Sequence, residues 1–313
     1  MATVFVSTQL PGTGVAELAR EHQVILGDGL LAASLPGDVA ALITVLTDRV
    51  DAAVLERLPA LRVVANVAVG YDNVDVAACA ARGVVVTNTP HVLTESTADF
   101  TFGLLLAAAR RIAEGDRIVR AGRFTGWTPT YMLGTRVSGM TLGIVGLGRI
   151  GQAVARRARG FGMRVVYTQR TRAPEAVERA LCATYAGWPD LLALADAVTL
   201  HCPLTPATQH LIDRRALAAM KPGAILINTA RGGCVDEGAL AEALERGPLA
   251  ACGLDVYERE PAVHPRLLAC GRAVLAPHLG SADTPTREAM TALAVANVAA
   301  VLAGEAPLSP VTK

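Results

Sequence analysis

The sequence predicts an α/β protein of two domains built on parallel sheets. Three observations carry this. Strand-like apolar runs alternate with helix-like segments along the first third of the chain. A second series of the same kind starts at residue 141, and its opening strand runs straight into a glycine-rich turn. The 313 residues are 52% hydrophobic, ample for two packed cores. Repeated β-then-α units imply parallel strands, because a parallel pair needs a crossover and a helix supplies it.

The elements follow in order. VFVS (4–7), QVIL (23–26), ALITVL (41–46), LRVVANV (61–67) and VVVTN (84–88) read as strands. VDAAVLERLP (50–59) and VDVAACAARG (74–83) read as helices between them. PGTG (11–14) resembles a phosphate loop but has too few glycines in register, so it reads as a helix-entry turn. Apolar residues at helical spacing predict one long helix over 95–121, ended by Gly122. RFTGWTPTYMLGTRVSG (123–139) is irregular. The second series has strands at TLGIVG (141–146), RVVYT (164–168), CATYA (182–186), DAVTLHC (196–202), AILINT (224–229), ACGLDV (251–256) and AVLAP (273–277). A helix over 286–304 closes the chain and is expected to pack back on the first domain. The expected division is 1–94 plus 286–313, a substrate-binding domain, and 95–285, a dinucleotide-binding domain. No further C-terminal domain is expected.

Bulk properties exclude several function classes. A net charge of +1 gives no field for nucleic acid. The six cysteines, Cys79, Cys182, Cys202, Cys234, Cys252 and Cys270, form no C-x-x-C pair, so no metal is expected and the thiols read as reduced. The N-terminus has no basic region before its apolar residues, unlike a signal peptide. FTFGLLLAAA (100–109), bounded by Asp99 and Arg110, is shorter than the roughly 20 residues a membrane span needs. A cytoplasmic protein without a membrane partner is expected.

GLGRIG (146–151) is G-x-G-x-x-G directly after a strand and opening a helix. Gly146 allows the tight turn, Gly148 lets the backbone approach a pyrophosphate, and Gly151 permits close helix–strand packing. The helix start, with Arg149 and Ile150, offers N–H groups and partial positive charge to phosphates. In this context the motif predicts a dinucleotide site. NAD binders usually place an acid about 20 residues on. Here the strand ends YTQRTR (167–172), with neutral Gln169 at that place and Arg170, Thr171 and Arg172 following. That ending suits a 2′-phosphate, so NADP is the expected cofactor; the competing reading is a solvated arginine-rich turn on an NAD enzyme. Pro203, Leu204 and Thr208 follow a strand end and are candidates for a second cofactor wall, while His201 and His210 read as structural. Thr229, Ala230 and Gly280 complete the expected cofactor contacts.

Arg231, Glu260 and His278 each stand just beyond an apolar strand, in INTARGG (227–233), LDVYEREP (254–261) and LAPHLGS (275–281). In an open α/β sheet such strand ends converge on one crevice. The imidazole of His278 can give a proton to a developing alkoxide. Glu260, hydrogen-bonded to it, would orient the ring. Arg231 can grip a carboxylate with its fork of donors and polarise the neighbouring keto oxygen. Asp255 either faces the nicotinamide side or caps its strand end.

Together these segments resemble the D-isomer-specific 2-hydroxyacid dehydrogenase family, most closely its glyoxylate/hydroxypyruvate reductases. The resemblance runs through VAVGYDNVD (67–75), TNTPHVLTESTAD (87–99), residues 141–170, the Arg231 segment, GLDVYEREP (253–261) and APHLGSAD (276–283). It implies two Rossmann-like domains with parallel sheets and an active site in the cleft between them. It implies NADPH-dependent reduction of glyoxylate or hydroxypyruvate to the D-2-hydroxy acid, with His278 as acid, Glu260 as its support and Arg231 on the substrate. A D-lactate-type or bulkier 2-keto acid reductase is the alternative, and a nucleotide-sensing, co-repressor-like binding protein the non-enzymatic one. The resemblance further implies that Val69 and Gly70 bind the substrate carboxylate through backbone N–H groups. Thr97 would lie near the nicotinamide, and Leu46 and Tyr131 would shape the pocket; Tyr131 stands where Trp is common. A homodimer is implied, with the loop from Trp127 to Tyr131 reaching into the partner.

Overall fold

The computed structural model describes residues 1–30 and 35–311. The chain divides into two compact units, Met1–Leu93 with Ser281–Lys313, and Thr94–Gly280.

The first unit begins β1 (Thr3–Val6), α1 (Gly14–Leu18), β2 (Gln23–Leu26), β3 (Val39–Thr44), α2 (Ala52–Glu56), β4 (Val63–Asn66), α3 (Val76–Ala81), β5 (Val85–Thr87). Among the described residues the strands form a parallel sheet in the order β2-β1-β3-β4-β5. Every residue of β3 and β4 is buried, as in parallel sheets covered on both faces. Phe5, Leu42, Val64 and Val86 form a core with Val54, Leu55 and Cys79. Asp51 and Asp75 cap α2 and α3 by accepting first-turn N–H groups.

The second unit opens with α4 (Thr94–Ala109) and α5 (Ile112–Arg120). The single helix expected over 95–121 is therefore two. Arg111 breaks it in a left-handed conformation, φ 55°. The cause is distant in sequence: the Ala109 carbonyl accepts from Thr135 N–H at 2.8 Å instead of continuing the helix. Gly134 makes the approach feasible, since a methyl there would sit 2.5 Å from that oxygen. Gly122, φ 64°, follows the end of α5 as expected.

The second series then runs β6 (Thr141–Val145), α6 (Arg149–Gly160), β7 (Arg164–Thr168), α7 (Glu175–Leu181), β8 (Ala183–Tyr185), α8 (Trp188–Leu194), β9 (Ala197–Leu200), α9 (Arg214–Ala219), β10 (Ile225–Asn228), α10 (Glu237–Arg246), β11 (Ala251–Leu254), α11 (Pro265–Ala269) and β12 (Ala273–Leu275). The strands pair in parallel in the order β12-β11-β10-β9-β6-β7-β8. Alternate strand residues serve opposite faces. Ile225 and Ile227 pack with Phe102, Leu105 and Val154 of α4 and α6. Leu226 packs on the other face with Leu191, Leu217, Leu240 and Leu267.

The last helix, α12 (Thr284–Ala303), returns to the first unit and packs on α1, β3 and β4. Asp283 caps it by accepting from Thr286 N–H. That cap belongs to its helix, so residues 281–285, assigned by sequence to the second domain, group with the first unit instead.

Candidate active site

Because every ladder of the second sheet is parallel, the carboxyl ends of its strands share one edge. The strand order reverses between β6 and β9, the place where open α/β sheets bind ligands. The glycine turn lies at that reversal. Gly146 adopts φ 94°, and a methyl on it would come within 2.8 Å of the His201 carbonyl oxygen beyond β9. A methyl on Gly151 would sit 2.1 Å from Gly146 O, so the start of α6 lies directly on the turn. Among the described residues Gly148 meets nothing within 4 Å, and no side chain caps the first turn of α6. The turn is thus tight on the protein side and open at the helix end, which fits a dinucleotide diphosphate.

The residues after β7 close around this turn. Gln169 Oε1 accepts from Leu147 N–H at 3.0 Å, and Gln169 Nε2 donates to Thr171 O at 2.7 Å. Arg172 makes a two-pronged contact with Glu178, at 2.8 and 2.9 Å, and lies over the Tyr185 ring. Arg172 is thereby committed to its own domain. Arg170 is exposed and makes no side-chain hydrogen bond or ion pair among the described residues. Beyond β9, the Thr208 hydroxyl bonds within its own loop, donating to Pro203 O at 2.6 Å and accepting from Thr205 N–H. Burial pushes the His201 imidazole down to about 3, and its ring pairs with Thr199 Oγ1 at 3.0 Å. His210 contacts the Glu258 carboxyl group.

β10, β11 and β12 deliver Arg231, Glu260 and His278 to the same edge. Asn228 at the end of β10 fixes the next residues: its Oδ1 accepts from Ala230 N–H, and its Nδ2 donates to Arg231 O. Thr229 Oγ1 lies 2.9 Å from Thr101 Oγ1, and the latter donates to the carbonyl of buried Thr97. His278 adopts φ 56°. Its N–H donates to Asp255 O, while both Asp255 carboxyl oxygens accept from Leu279 and Gly280 N–H at 2.6 and 2.8 Å. Asp255 therefore holds the His278 turn. Burial raises its pKa above the ordinary carboxylate range, against the pull of those two N–H groups.

Glu260 Oε2 lies 2.9 Å from His278 Nδ1, and Glu260 Oε1 accepts from Tyr257 N–H at 3.0 Å. Both side chains keep a little over a quarter of their surface exposed. Burial opposes ionisation of Glu260. The His278 contact, Tyr257 N–H and the positive charge of Arg231 outweigh it and hold the carboxyl below its ordinary value. Gly232 lets the Arg231 segment lie on the backbone of Tyr257 and Glu258; a methyl there would meet Tyr257 C at 1.8 Å. The three residues singled out by sequence thus share one edge, with Glu260 in contact with His278 and electrostatically coupled to Arg231.

The remaining predicted residues stand on other segments. Tyr131 is half-exposed in the irregular loop and tilted against Phe124, with ring centroids 6.1 Å apart. Leu46, Val69 and Gly70 belong to the first unit, beyond β3 and β4. There Asn88 Nδ2 donates to Val69 O at 2.8 Å and Asn66 Nδ2 to Gly70 O at 2.9 Å. Their N–H groups find no acceptor among the described residues. Sequence reasoning missed Asn66 and Asn88; the only signal was an Asn ending or following a buried strand.

Residues 102–280 match the family described as "D-isomer specific 2-hydroxyacid dehydrogenase, NAD binding domain". The chain belongs to this dehydrogenase family. It binds a nicotinamide cofactor. It is 46% identical over 321 residues to the glyoxylate reductase of Thermococcus litoralis, covering 99% of this chain and 96% of that one. A solved protein of Thermus thermophilus superposes with TM-score 0.91 at 47% identity, covering 99% and 100%. An NADPH-dependent glyoxylate/hydroxypyruvate reductase of Sinorhizobium meliloti, solved with NADP and malonate, gives 0.90 at 35% identity, covering 99% and 96%. Within the dehydrogenase fold, these likenesses extend over both units of the chain.

Proposed function

We propose that this dehydrogenase reduces glyoxylate or hydroxypyruvate to the D-2-hydroxy acid with NADPH. The observation that carries the reading is the Glu260–His278 contact beside Arg231, on the strand edge that also bears the glycine turn. The named activity of the Thermococcus and Sinorhizobium relatives supports it. When bound, a reduced nicotinamide supplies the hydride. Gly146, Gly148 and the first turn of α6 would hold its diphosphate. Arg231 would grip the substrate carboxylate and draw electron density onto the keto oxygen. His278 would pass its proton to that oxygen as C2 becomes an alcohol carbon, with Glu260 holding the ring in position. The free N–H groups of Val69 and Gly70, their peptides fixed by Asn88 and Asn66, suit an anionic oxygen.

The preference for NADP rests on Gln169 and Arg170. A neutral amide stands where a carboxylate would repel a 2′-phosphate, and Arg170 is exposed beside it. Arg172, tied to Glu178, leaves that role to Arg170. We further propose a homodimer, because Phe124, Trp127, Leu133, Ile112 and Val119 are exposed together in one segment of the second unit. The deciding experiment follows loss of reduced-nicotinamide absorbance with glyoxylate, hydroxypyruvate, pyruvate and a branched 2-keto acid. Highest kcat/KM is expected for the first two. Cofactor binding without turnover of any acid would favour a nucleotide-sensing protein.

A further inference from the structure

We propose that Glu237, the first residue of α10, is a positioning residue that acts through Glu260; this rests on the reading of Glu260 given above. Glu260 stands in a loop between β11 and α11. Both ends of that loop meet one carboxyl group. Glu258 N–H donates to Glu237 Oε1 at 2.8 Å, and His264 N–H donates to Glu237 Oε2 at 3.2 Å. Between these ends a turn is closed by Ala262 N–H to Arg259 O at 2.8 Å, and Glu260 lies within it.

Glu237 is 5% exposed. Its helix does not need it as a cap, because Asp236 already accepts from Ala239 N–H. A buried carboxyl group is costly unless its oxygens find donors. Here both donors come from the loop, so the carboxyl group is satisfied only while the loop lies closed over it. The His210 contact with Glu258 and the close packing of Gly232 on Tyr257 restrain the same segment from the side of β9 and β10. A loop shift of about 1 Å would take the 2.9 Å Glu260–His278 contact out of hydrogen-bond range.

The test uses the full chain with Glu237→Ala and Glu237→Gln, each alone and in a Glu260→Gln background. Glu237→Ala is expected to lower kcat about 10-fold or more with glyoxylate while the NADPH dissociation constant stays within about 2-fold. Glu237→Gln, which keeps one acceptor oxygen, is expected to recover part of the loss. In the Glu260→Gln background, Glu237→Ala should add little, because the two act as one unit. An undiminished further loss in that background would overturn the proposal, and so would wild-type kcat in Glu237→Ala. Should Glu237→Ala fail to fold, Glu237→Gln carries the same comparison. An NMR titration of His278 does not depend on turnover and separates this proposal from the substrate assignment. Glu237→Ala should move that titration in the same direction as Glu260→Gln, and no movement would refute the link.

Discussion

His278 occupies a left-handed backbone conformation that costs a non-glycine residue about 1 kcal/mol. Asp255 sustains it through three contacts: its carbonyl accepts from His278 N–H, and its carboxyl group accepts from Leu279 and Gly280. His278→Ala keeps this backbone and removes only the ring. It should cut kcat by about 10²- to 10⁴-fold while cofactor titrations stay unchanged; near-normal turnover would remove His278 as the acid. Glu260 titrates below the ordinary carboxyl range, so its contribution to stability is full above the unfolded value and lost as pH falls through the lowered folded value. The stability gap between wild type and Glu260→Gln should therefore narrow on acidification, as thermal melts at stepped pH would show. Gln169→Asp places a carboxylate at the expected 2′-phosphate site and should shift preference from NADPH toward NADH. Unchanged kcat/KM with NADPH would refute the role given to Gln169. The sequence made these residues legible because each belongs to a segment that begins as an apolar run and ends polar. The φ of His278 and the true work of Asp255 were not legible, since both arise from contacts between neighbouring strand ends.

At the scale of elements, the second-series strands fell where apolar runs stop at polar or glycine residues, and β7 matches its expected span. The break between α4 and α5 was hidden because neither Gly nor Pro marks it; the marker is Gly134, within the irregular loop. Gly232 is a comparable case at the site. Gly232→Ala should cost about 3 kcal/mol by overpacking and depress activity, because either Arg231 or the Glu260 loop must move. A variant with wild-type melting temperature and kcat would contradict that packing. The link between β7 and α7 depends on Glu178, 8% exposed, which accepts from Arg172 and from Tyr167 Oη. The Arg172 fork, helped by Tyr167, lowers its pKa to about 2. Its contribution is present above the ordinary value of 4.5 and lost as pH falls toward 2. Glu178→Gln should thus melt lower than wild type at neutral pH, with the difference shrinking as the solution approaches pH 2.

At the scale of the whole molecule, the exposed aromatic and aliphatic side chains of 112–133 predict self-association. Sedimentation should give twice the 32.5 kDa chain mass, and Trp127→Ser with Leu133→Ser should shift it toward one chain. A wild-type monomer at micromolar concentration would leave that proposal without support. The α/β class and its parallel strands were legible from repetition alone, whereas the return of the last helix was not, because periodicity says which face is apolar and not what covers it. Yet α12 lies on β3 and β4, Arg62 donates to the carbonyls of Val301 and Leu302, and Ser309 bonds Asn88 and Asn297. During synthesis, then, β1 to β5 must wait for α12 before their sheet is covered, while Thr94–Gly280 is already complete. Residues 94–280 are placed to fold ahead of the sheet that precedes them, and clipping the chain before residue 284 should unravel that sheet while sparing the nucleotide-binding half.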